Sequence, residues 1–311
     1  MTEAKKIKAG SGALNVDASK KAQKTAKIVR LVITYLFLAV MAVIIIFPFY
    51  WMIISSLKTI EEYRENVPTL WPRNIVFENF RTAFEKANLI DLFLHTLYVG
   101  VVSTVLSLIV TVLSAFAFAR LNFKGKGLVF GLLMATMMVP GELYTITNYL
   151  TVSGSLPFLS EPISALDITN TFAVLIVPML VSVYYIYLLR QTFMQIPNEL
   201  YLAAKVDGTS DFKYLWKVML PLSVSTVITI TILKMMGAWN SYIWPRLVAN
   251  DDAHKLITNG LRGASFATEN GDTNYPAQMA AVFIVSIPLF LVFVFLRKYI
   301  MKGVSRSGIK G

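Results

Sequence analysis

The chain has 311 residues, of which 56% are hydrophobic and 15% charged, and its formal net charge is +11. Soluble domains carry about 25% charged residues, so this composition excludes an ordinary soluble domain. The basic residues lie between apolar runs rather than on one aromatic-rich surface, which argues against nucleic-acid binding. Cysteine is absent and only two histidines occur, which excludes disulfides, cysteine metal sites and multi-histidine metal centres.

Residues 1–30 are polar and contain eight Lys or Arg residues against only Glu3 and Asp17. Together with Gly10-Ser11-Gly12, this composition predicts a mobile N-terminal tail that flanks the membrane on its cytoplasmic side. An anchor on anionic lipid is the alternative interpretation. The apolar run that follows is too long for a cleavable signal peptide and lacks a small-residue cleavage site.

Six apolar runs follow the tail. They predict an all-α, polytopic membrane protein with six transmembrane helices between residues 31 and 300. Pro48 in the first run predicts a kink, and Pro140-Gly141-Glu142 interrupts the third. Residues 301–311 are predicted to be a C-terminal cytoplasmic tail. The predicted spans are Leu31–Leu57, Leu92–Ala119, Gly127–Leu150, Phe172–Leu189, Val218–Ile243 and Ala280–Leu296.

Lysine and arginine are distributed unevenly among the predicted loops. Twenty of the 29 lie in the two tails and in the loops 119–127 and 190–218, whereas eight lie in the loops 58–91 and 239–279. The positive-inside rule therefore predicts a multi-pass protein of the cell membrane whose termini and segment 196–221 are cytoplasmic.

The segment 196–221 has the pattern of a helix, a turn and a second helix. Asn198 is a good N-cap residue, and Gly208 suits the left-handed end of a helix. Thr209 or Ser210 can cap the next helix. A helix of about ten residues is marginal alone, so it must dock on another surface. An ordinary connecting loop is the alternative that these residues leave open.

The spacing in this segment resembles the Glu-Ala-Ala loop of bacterial ABC-importer membrane subunits. Leu202 stands where that family has Glu, and Val218 where it has Ile. The resemblance implies that this coupling loop, residues 196–221, places its first helix, 198–208, in a groove of a cytosolic ATPase. The implied ATPase-coupling residues are Glu199, Leu202, Ala203, Ala204, Asp207, Gly208, Leu220 and Pro221.

Further motifs are similar to the carbohydrate-uptake group of these permeases. They are Pro48-Phe-Tyr-Trp51, Ala117-Phe-Ala-Arg120, Met138-Val-Pro-Gly-Glu142, Trp239-Asn240 and the tail Gly308-Ile-Lys-Gly311. The resemblance implies the type I ABC importer permease fold and, specifically, the smaller six-span membrane subunit of maltose-type transporters. It also implies that Gly308, Lys310 and Gly311 contact the ATPase.

The resemblance implies partners as well. They are a second, larger permease, two ATPase subunits or domains, an extracellular sugar-binding protein and membrane lipid. No Gly-x-x-x-x-Gly-Lys-Ser/Thr motif occurs, so we expect ATP and Mg on the ATPase chains and no cofactor on this one. We therefore expect a transport subunit for a sugar, with an oligosaccharide as the implied cargo, and not an enzyme. A glycerol phosphate ester as cargo, or a stand-alone secondary transporter, is the alternative.

Polar residues within the predicted spans indicate a translocation path. Lys234 is costly in a membrane unless it faces a cavity, pairs with an acid or extends to the interface. Glu142, at the Pro140-Gly141 break, is one candidate partner. A helix-packing ion pair is the alternative role for Lys234. The residues predicted for the path are Glu142, Asn148, Lys234 and Asn240.

Overall fold

The computed structural model describes residues 3–155, 167–268 and 271–305. Regular structure in these ranges is helical, apart from an isolated β-bridge between Ala267 and Thr273. The predicted all-α fold class is therefore confirmed. Three helical stretches in the described ranges are long and apolar enough to cross a membrane, namely Gln23–Ser56, Leu89–Arg120 and Tyr275–Arg297.

The chain divides into two compact units, Met1–Val76 and Phe77–Gly311. The first contains α1, Glu3–Ser56, and α2, Ile60–Tyr63, with Pro48 inside α1. Helix α1 extends through the segment that composition predicted to be a mobile tail. Alanine and lysine are frequent there and are strong helix formers, which accounts for the difference.

The loop that follows α1 is held by bonds to two buried charged residues. Glu62 accepts hydrogen bonds from Thr69 Oγ1 at 2.6 Å and from the Arg73 amide at 3.1 Å. The Lys58 ammonium donates to the Thr69 carbonyl at 2.5 Å and lies 4.6 Å from the centre of the Trp51 ring. Both charged groups are therefore bonded, as buried polar groups require.

The second unit contains the other helices, of which α4, Leu89–Arg120, and α15, Tyr275–Ser305, are the longest in the described residues. A 3₁₀ turn, Val177–Met179, follows α7, and a π-helical turn, Leu215–Met219, follows α10. The remaining helices are α3 Glu78–Ala87, α5 Lys126–Thr136, α6 Leu143–Val152, α7 Phe172–Ile176, α8 Val183–Met194, α9 Asn198–Val206, α10 Asp211–Tyr214, α11 Leu220–Leu222, α12 Val224–Trp239, α13 Ile243–Val248 and α14 Ile257–Gly263.

Helix α4 is the centre of this unit, because α8, α12 and α14 all pack on it. Small residues on α4 allow neighbouring helices to approach its backbone closely. At Gly100, for example, a Cβ would lie only 2.9 Å from Sδ of Met235 in α12. Buried Thr96 accepts a hydrogen bond from the Ile257 amide of α14 at 2.8 Å. The main core cluster contains Val112, Ala115, Phe116, Leu189, Phe193, Ile196, Tyr214, Leu215, Met219 and Ile230.

Three of the six predicted spans are not continuous straight helices. The third breaks at residues 137–142, where Pro140-Gly141 predicted an interruption, and α5 has 11 residues. The fourth bends by 45° between the 3₁₀ turn, which contains Pro178, and α8. The fifth bends by 82° at Ser223, two residues after Pro221, whose missing N–H disrupts the helical hydrogen bonding.

The predicted fifth span, Val218–Ile243, is therefore not one continuous helix, and its bounds differ from those of the helices. Residues 218–222 precede the bend, and α12 ends at Trp239. By length and composition the described helices supply three spans, or five if each bent pair is counted as one, with α5 as a shorter apolar helix. The count of six spans stays a prediction.

Gly260 of α14 marks a close contact between α14 and α4. A Cβ at this position would lie 2.3 Å from Cδ2 of buried Leu92 and 3.1 Å from its Cγ. We expect Gly260→Ala to lower the thermal unfolding midpoint of the detergent-solubilised protein, because overpacking a core costs about 1–3 kcal/mol. Gly263→Ala is the matched control, since nothing lies within 4 Å of a Cβ there. Equal midpoints for the two variants would contradict the contact.

Candidate functional site

The two helices of the coupling loop are joined by a tight turn at Gly208, whose φ is +69°. The Thr209 amide donates to the carbonyl of Ala204 at 2.8 Å. Ser210 Oγ accepts from the Lys213 amide at 3.3 Å, so Ser210 caps α10. The left-handed Gly208 and the cap at Ser210 are both as predicted.

The predicted N-cap of α9 is wrong. Pro197 occupies the N-cap position with an extended ψ of 137°, and Asn198 is the first helical residue. Proline is tolerated at the start of a helix because it lacks an N–H that would have no helical partner there. Glu199 remains in the first turn, where a negative charge suits the helix dipole.

One face of α9 is fixed to the helix bundle. Tyr201 and Ala204 pack against the core cluster that includes residues of α4 and α8. The ring centres of Tyr201 and Tyr214 are 5.1 Å apart, and Tyr214 is buried. This inner face therefore belongs to the same core as the long helices.

Asp211 connects α10 to α9 through its carboxylate. Tyr201 Oη donates to Oδ1 at 2.7 Å, and Lys205 Nζ lies 2.7 Å from the same oxygen. Hydrogen bonds from Lys205 and from Tyr201 lower the pKa of Asp211, so the carboxylate is ionised at neutral pH. The ion pair is exposed and contributes only about 0–1 kcal/mol. Its consequence is geometric, because it fixes α9 and α10 relative to each other.

The outer face of α9, defined by Leu202 and Val206, is apolar and exposed. Leu202 is 55% exposed, and Val206 is 87% exposed. The two residues are four apart and therefore share one side of the helix. Phe212 and Trp216 form a second exposed apolar pair, with ring centres 5.9 Å apart. Exposed apolar groups that are adjacent in this way are typical of a contact surface.

The other predicted coupling residues are distributed between surface and core. Leu220 packs against the core cluster, and Ala204 is partly buried. The exposed members are Glu199, Ala203, Asp207, Gly208 and Pro221. Their contact with an ATPase stays a prediction.

Two arginines to which the sequence analysis assigned no role connect the loop to the bundle. Arg120, at the end of α4, donates to the carbonyls of Phe193 at 2.9 Å and Ile196 at 2.5 Å. Arg190 of α8 donates in return to the carbonyl of Phe118 at 3.1 Å. The last carbonyls of a helix lack helical partners, so each arginine satisfies groups at the end of the other helix. An arginine at the end of an apolar run was the only signal in the sequence.

A cavity of about 370 Å³ lies among α4, α12 and the break between α7 and α8. Lys234 of α12 lines it and donates a hydrogen bond to the carbonyl of Met179. Its hydroxyl-bearing lining residues are Ser103, Ser182, Tyr185 and Ser241.

Of the four residues predicted for the translocation path, only Lys234 lines this cavity. Glu142 is exposed just before α6, and no ion pair joins it to Lys234 in the described part of the chain. Asn148 lies within α6, and Asn240 caps the end of α12. The partner of Lys234 in the structure is therefore the carbonyl of Met179, at a helix break, and not the candidate partner Glu142.

The predicted tail contacts Gly308, Lys310 and Gly311 lie outside the described residues. Within those residues, no group of three or more His, Cys, Asp or Glu side chains could hold a metal ion. The candidate site in the described residues consists of three parts, namely the coupling loop, the two arginines that attach it to the bundle, and the cavity.

Comparison with known proteins identifies the family. Residues 107–306 match the family of binding-protein-dependent transport system inner membrane components, which is more than half of the chain. The chain belongs to this family. It is accordingly a permease component of an importer, located in the cytoplasmic membrane.

Relatives of this permease align over nearly their whole length. It is 28% identical over 292 residues to the arabinooligosaccharides transport system permease protein AraQ of Halalkalibacterium halodurans, covering 93% of this chain and 99% of that protein. It is 31% identical over 268 residues to the diacetylchitobiose uptake system permease protein DasC of Streptomyces coelicolor, covering 86% and 92%. It is 28% identical over 280 residues to the sn-glycerol-3-phosphate transport system permease protein UgpE of Rhizobium meliloti, covering 87% and 94%.

A solved structure shares the fold of this permease. It is the crystal structure of a bacterial ABC transporter involved in the import of the acidic polysaccharide alginate, with a TM-score of 0.75 and 20% sequence identity. The match covers 86% of this chain and 95% of the other. The predicted ABC importer permease fold is therefore confirmed.

Gly208 determines the turn of the coupling loop. Nothing lies within 4 Å of a Cβ at this position, so a substitution acts through the backbone conformation alone. Gly208→Val should open the turn, because β-branched residues disfavour positive φ, whereas Gly208→Asn should retain it. We expect tryptic cleavage after Lys205 and Lys213 of the solubilised permease to be roughly five- to thirtyfold faster in Gly208→Val, from a strain of about 1–2 kcal/mol. Equal cleavage rates in the two variants would show that the turn does not need a left-handed residue.

Proposed function

We propose that this permease is the smaller of two membrane subunits of an ATP-driven, binding-protein-dependent sugar importer with an oligosaccharide as cargo. The transport functions named for AraQ and DasC support a carbohydrate cargo. In this proposal the chain crosses the membrane six times, with both termini and the coupling loop in the cytoplasm. Its partners are a larger permease, two ATPase subunits or domains that bind ATP and Mg, an extracellular sugar-binding protein and membrane lipid.

The observation that carries the proposal is the difference between the two faces of α9. The inner face is fixed to the bundle through Tyr201 and Ala204, whereas Leu202 and Val206 are exposed. A short helix that is fixed on one side and apolar on the other suits insertion into a groove of a partner. Leu202 in place of the family's Glu makes the contact at that point apolar.

Movement of α9 is transmitted to the membrane helices through bonded contacts. The bonds of Asp211 make α9 and α10 move together. The bonds of Arg120 and Arg190 connect the end of α8, where the coupling loop begins, to α4. Closure of the ATPases therefore moves α4 and α8 as a pair and alternates access to the cavity that they line.

A glycerol phosphate ester is the second candidate cargo. It is favoured by one observation, which is the ammonium group of Lys234 on the wall of the cavity. The function named for UgpE, at 28% identity, is consistent with such a cargo.

Recovery of ATPase chains with the tagged permease tests the docking of α9. Val206→Asp should reduce the recovered ATPase about tenfold or more, because the contact would bury a carboxylate among apolar groups. Val67→Asp is the matched control, since Val67 is 78% exposed and lies on the opposite side of the membrane in this proposal. Its recovery should equal that of wild type.

Two results would count against this function. If the wild-type permease recovers no ATPase and transports alone, the ATP-driven assembly is wrong. If Val206→Asp recovers as much ATPase as wild type, the outer face of α9 is not the docking surface.

A further inference from the structure

Lys234 is the only charged residue among the described residues that line the cavity. A charged group within a membrane protein is costly, and it is typical of a ligand site or a transport pathway. Its hydrogen-bond partner, the carbonyl of Met179, is neutral. An ammonium group has three N–H donors, so one bond to a carbonyl leaves two donors and the whole charge for a ligand.

The backbone carbonyl of Met179 fixes the position of the Lys234 ammonium group. Met179 is the last residue of the 3₁₀ turn, and residues 180–182 separate it from α8. The bond from Lys234 therefore links α12 to the break in the fourth predicted span. A donor that is held in place in this way suits recognition of an anion, since little side-chain freedom remains to be lost on binding.

The rest of the cavity wall suits a sugar or another polyol. Ser182, Tyr185 and Ser241 contribute hydroxyl groups. Trp244 also lines the cavity. Its indole N–H donates to the carbonyl of Val174 at 2.9 Å, so the part of this side chain that is left for a ligand is its aromatic ring. Aromatic rings pack against apolar faces of ligands, and the volume of about 370 Å³ is within the roughly 300–1,000 Å³ of small-molecule sites.

We propose that the cavity binds a sugar or polyol that carries an anionic group, and that Lys234 selects for its charge. The group is the carboxylate of an acidic sugar or a phosphate ester, because both accept charge-assisted hydrogen bonds from an ammonium. The inference rests on the proposed transport function and narrows its cargo to acidic solutes.

The test is ligand-dependent thermal stabilisation of the assembled transporter, purified in detergent with its ATPase chains. Two matched pairs serve as probes, galacturonate with galactose and glycerol 3-phosphate with glycerol, at equal ionic strength. We expect an apparent affinity about tenfold higher for the anionic member of at least one pair, as is typical of a hydrogen bond to a charged partner. The pair that shows the preference identifies the group as carboxylate or phosphate.

Three variants assign the preference to Lys234. Lys234→Met should abolish it, and Lys234→Arg should retain it. Lys86→Met is the control, because Lys86 is an exposed residue of α3 that does not line the cavity, and its preference should match that of wild type. The inference is overturned if wild type prefers neither anion, or if Lys234→Met keeps the preference.

Failure of this inference is distinct from failure of the proposed function. A transporter that assembles with its ATPases and shows no preference for either anion overturns the role of Lys234 alone. A permease that recovers no ATPase overturns the proposed function before any ligand is added.

Discussion

The structure depends on the need of every backbone carbonyl and amide in an apolar protein for a hydrogen-bond partner. The chain leaves regular helical geometry after Met179 and at the end of α8. At both places a cationic side chain supplies a donor: Lys234 bonds the carbonyl of Met179, and Arg120 bonds those of Phe193 and Ile196. Positive charges in this apolar chain therefore have a structural role besides the orientation that their distribution predicts. They stabilise the helix ends from which the coupling loop and the cavity are built.

The coupling loop and the cavity share the same three helices. The core cluster beneath the loop contains Phe116 of α4, Phe193 of α8 and Ile230 of α12. The cavity is lined by Tyr185 of α8 and Lys234 of α12, together with residues of α4. Because close-packed interiors transmit strain, we expect a change in the loop to alter the walls of the cavity without a separate relay.

Rules that depend on neighbouring residues predicted much of the structure of the coupling loop. They predicted little of how the loop is attached to the helix bundle. Gly208 and Ser210 were predictable because turns and caps depend on a few adjacent residues. The bonds of Arg120 were not, because its partners are more than 70 positions away and are carbonyls, which every residue has. For the same reason the sequence points to an acid, Glu142, as a candidate partner of Lys234, and gives no sign of the Met179 carbonyl. The bend at Ser223 escaped prediction because hydropathy reports composition and not the direction of a helix axis.

Helix α4 has the proportions of a lever with unequal arms. Its 32 residues span about 48 Å, and Gly100 marks one close contact with α12. From this fulcrum the arm to Arg120 is about 30 Å long and the arm to Leu89 about 16 Å. If α4 pivoted there as a rigid rod, a displacement at the arginine end would arrive at the other end roughly halved. In such a motion the position of Gly100 along α4 would set the ratio between the movement at the coupling loop and the movement at the far end of the helix.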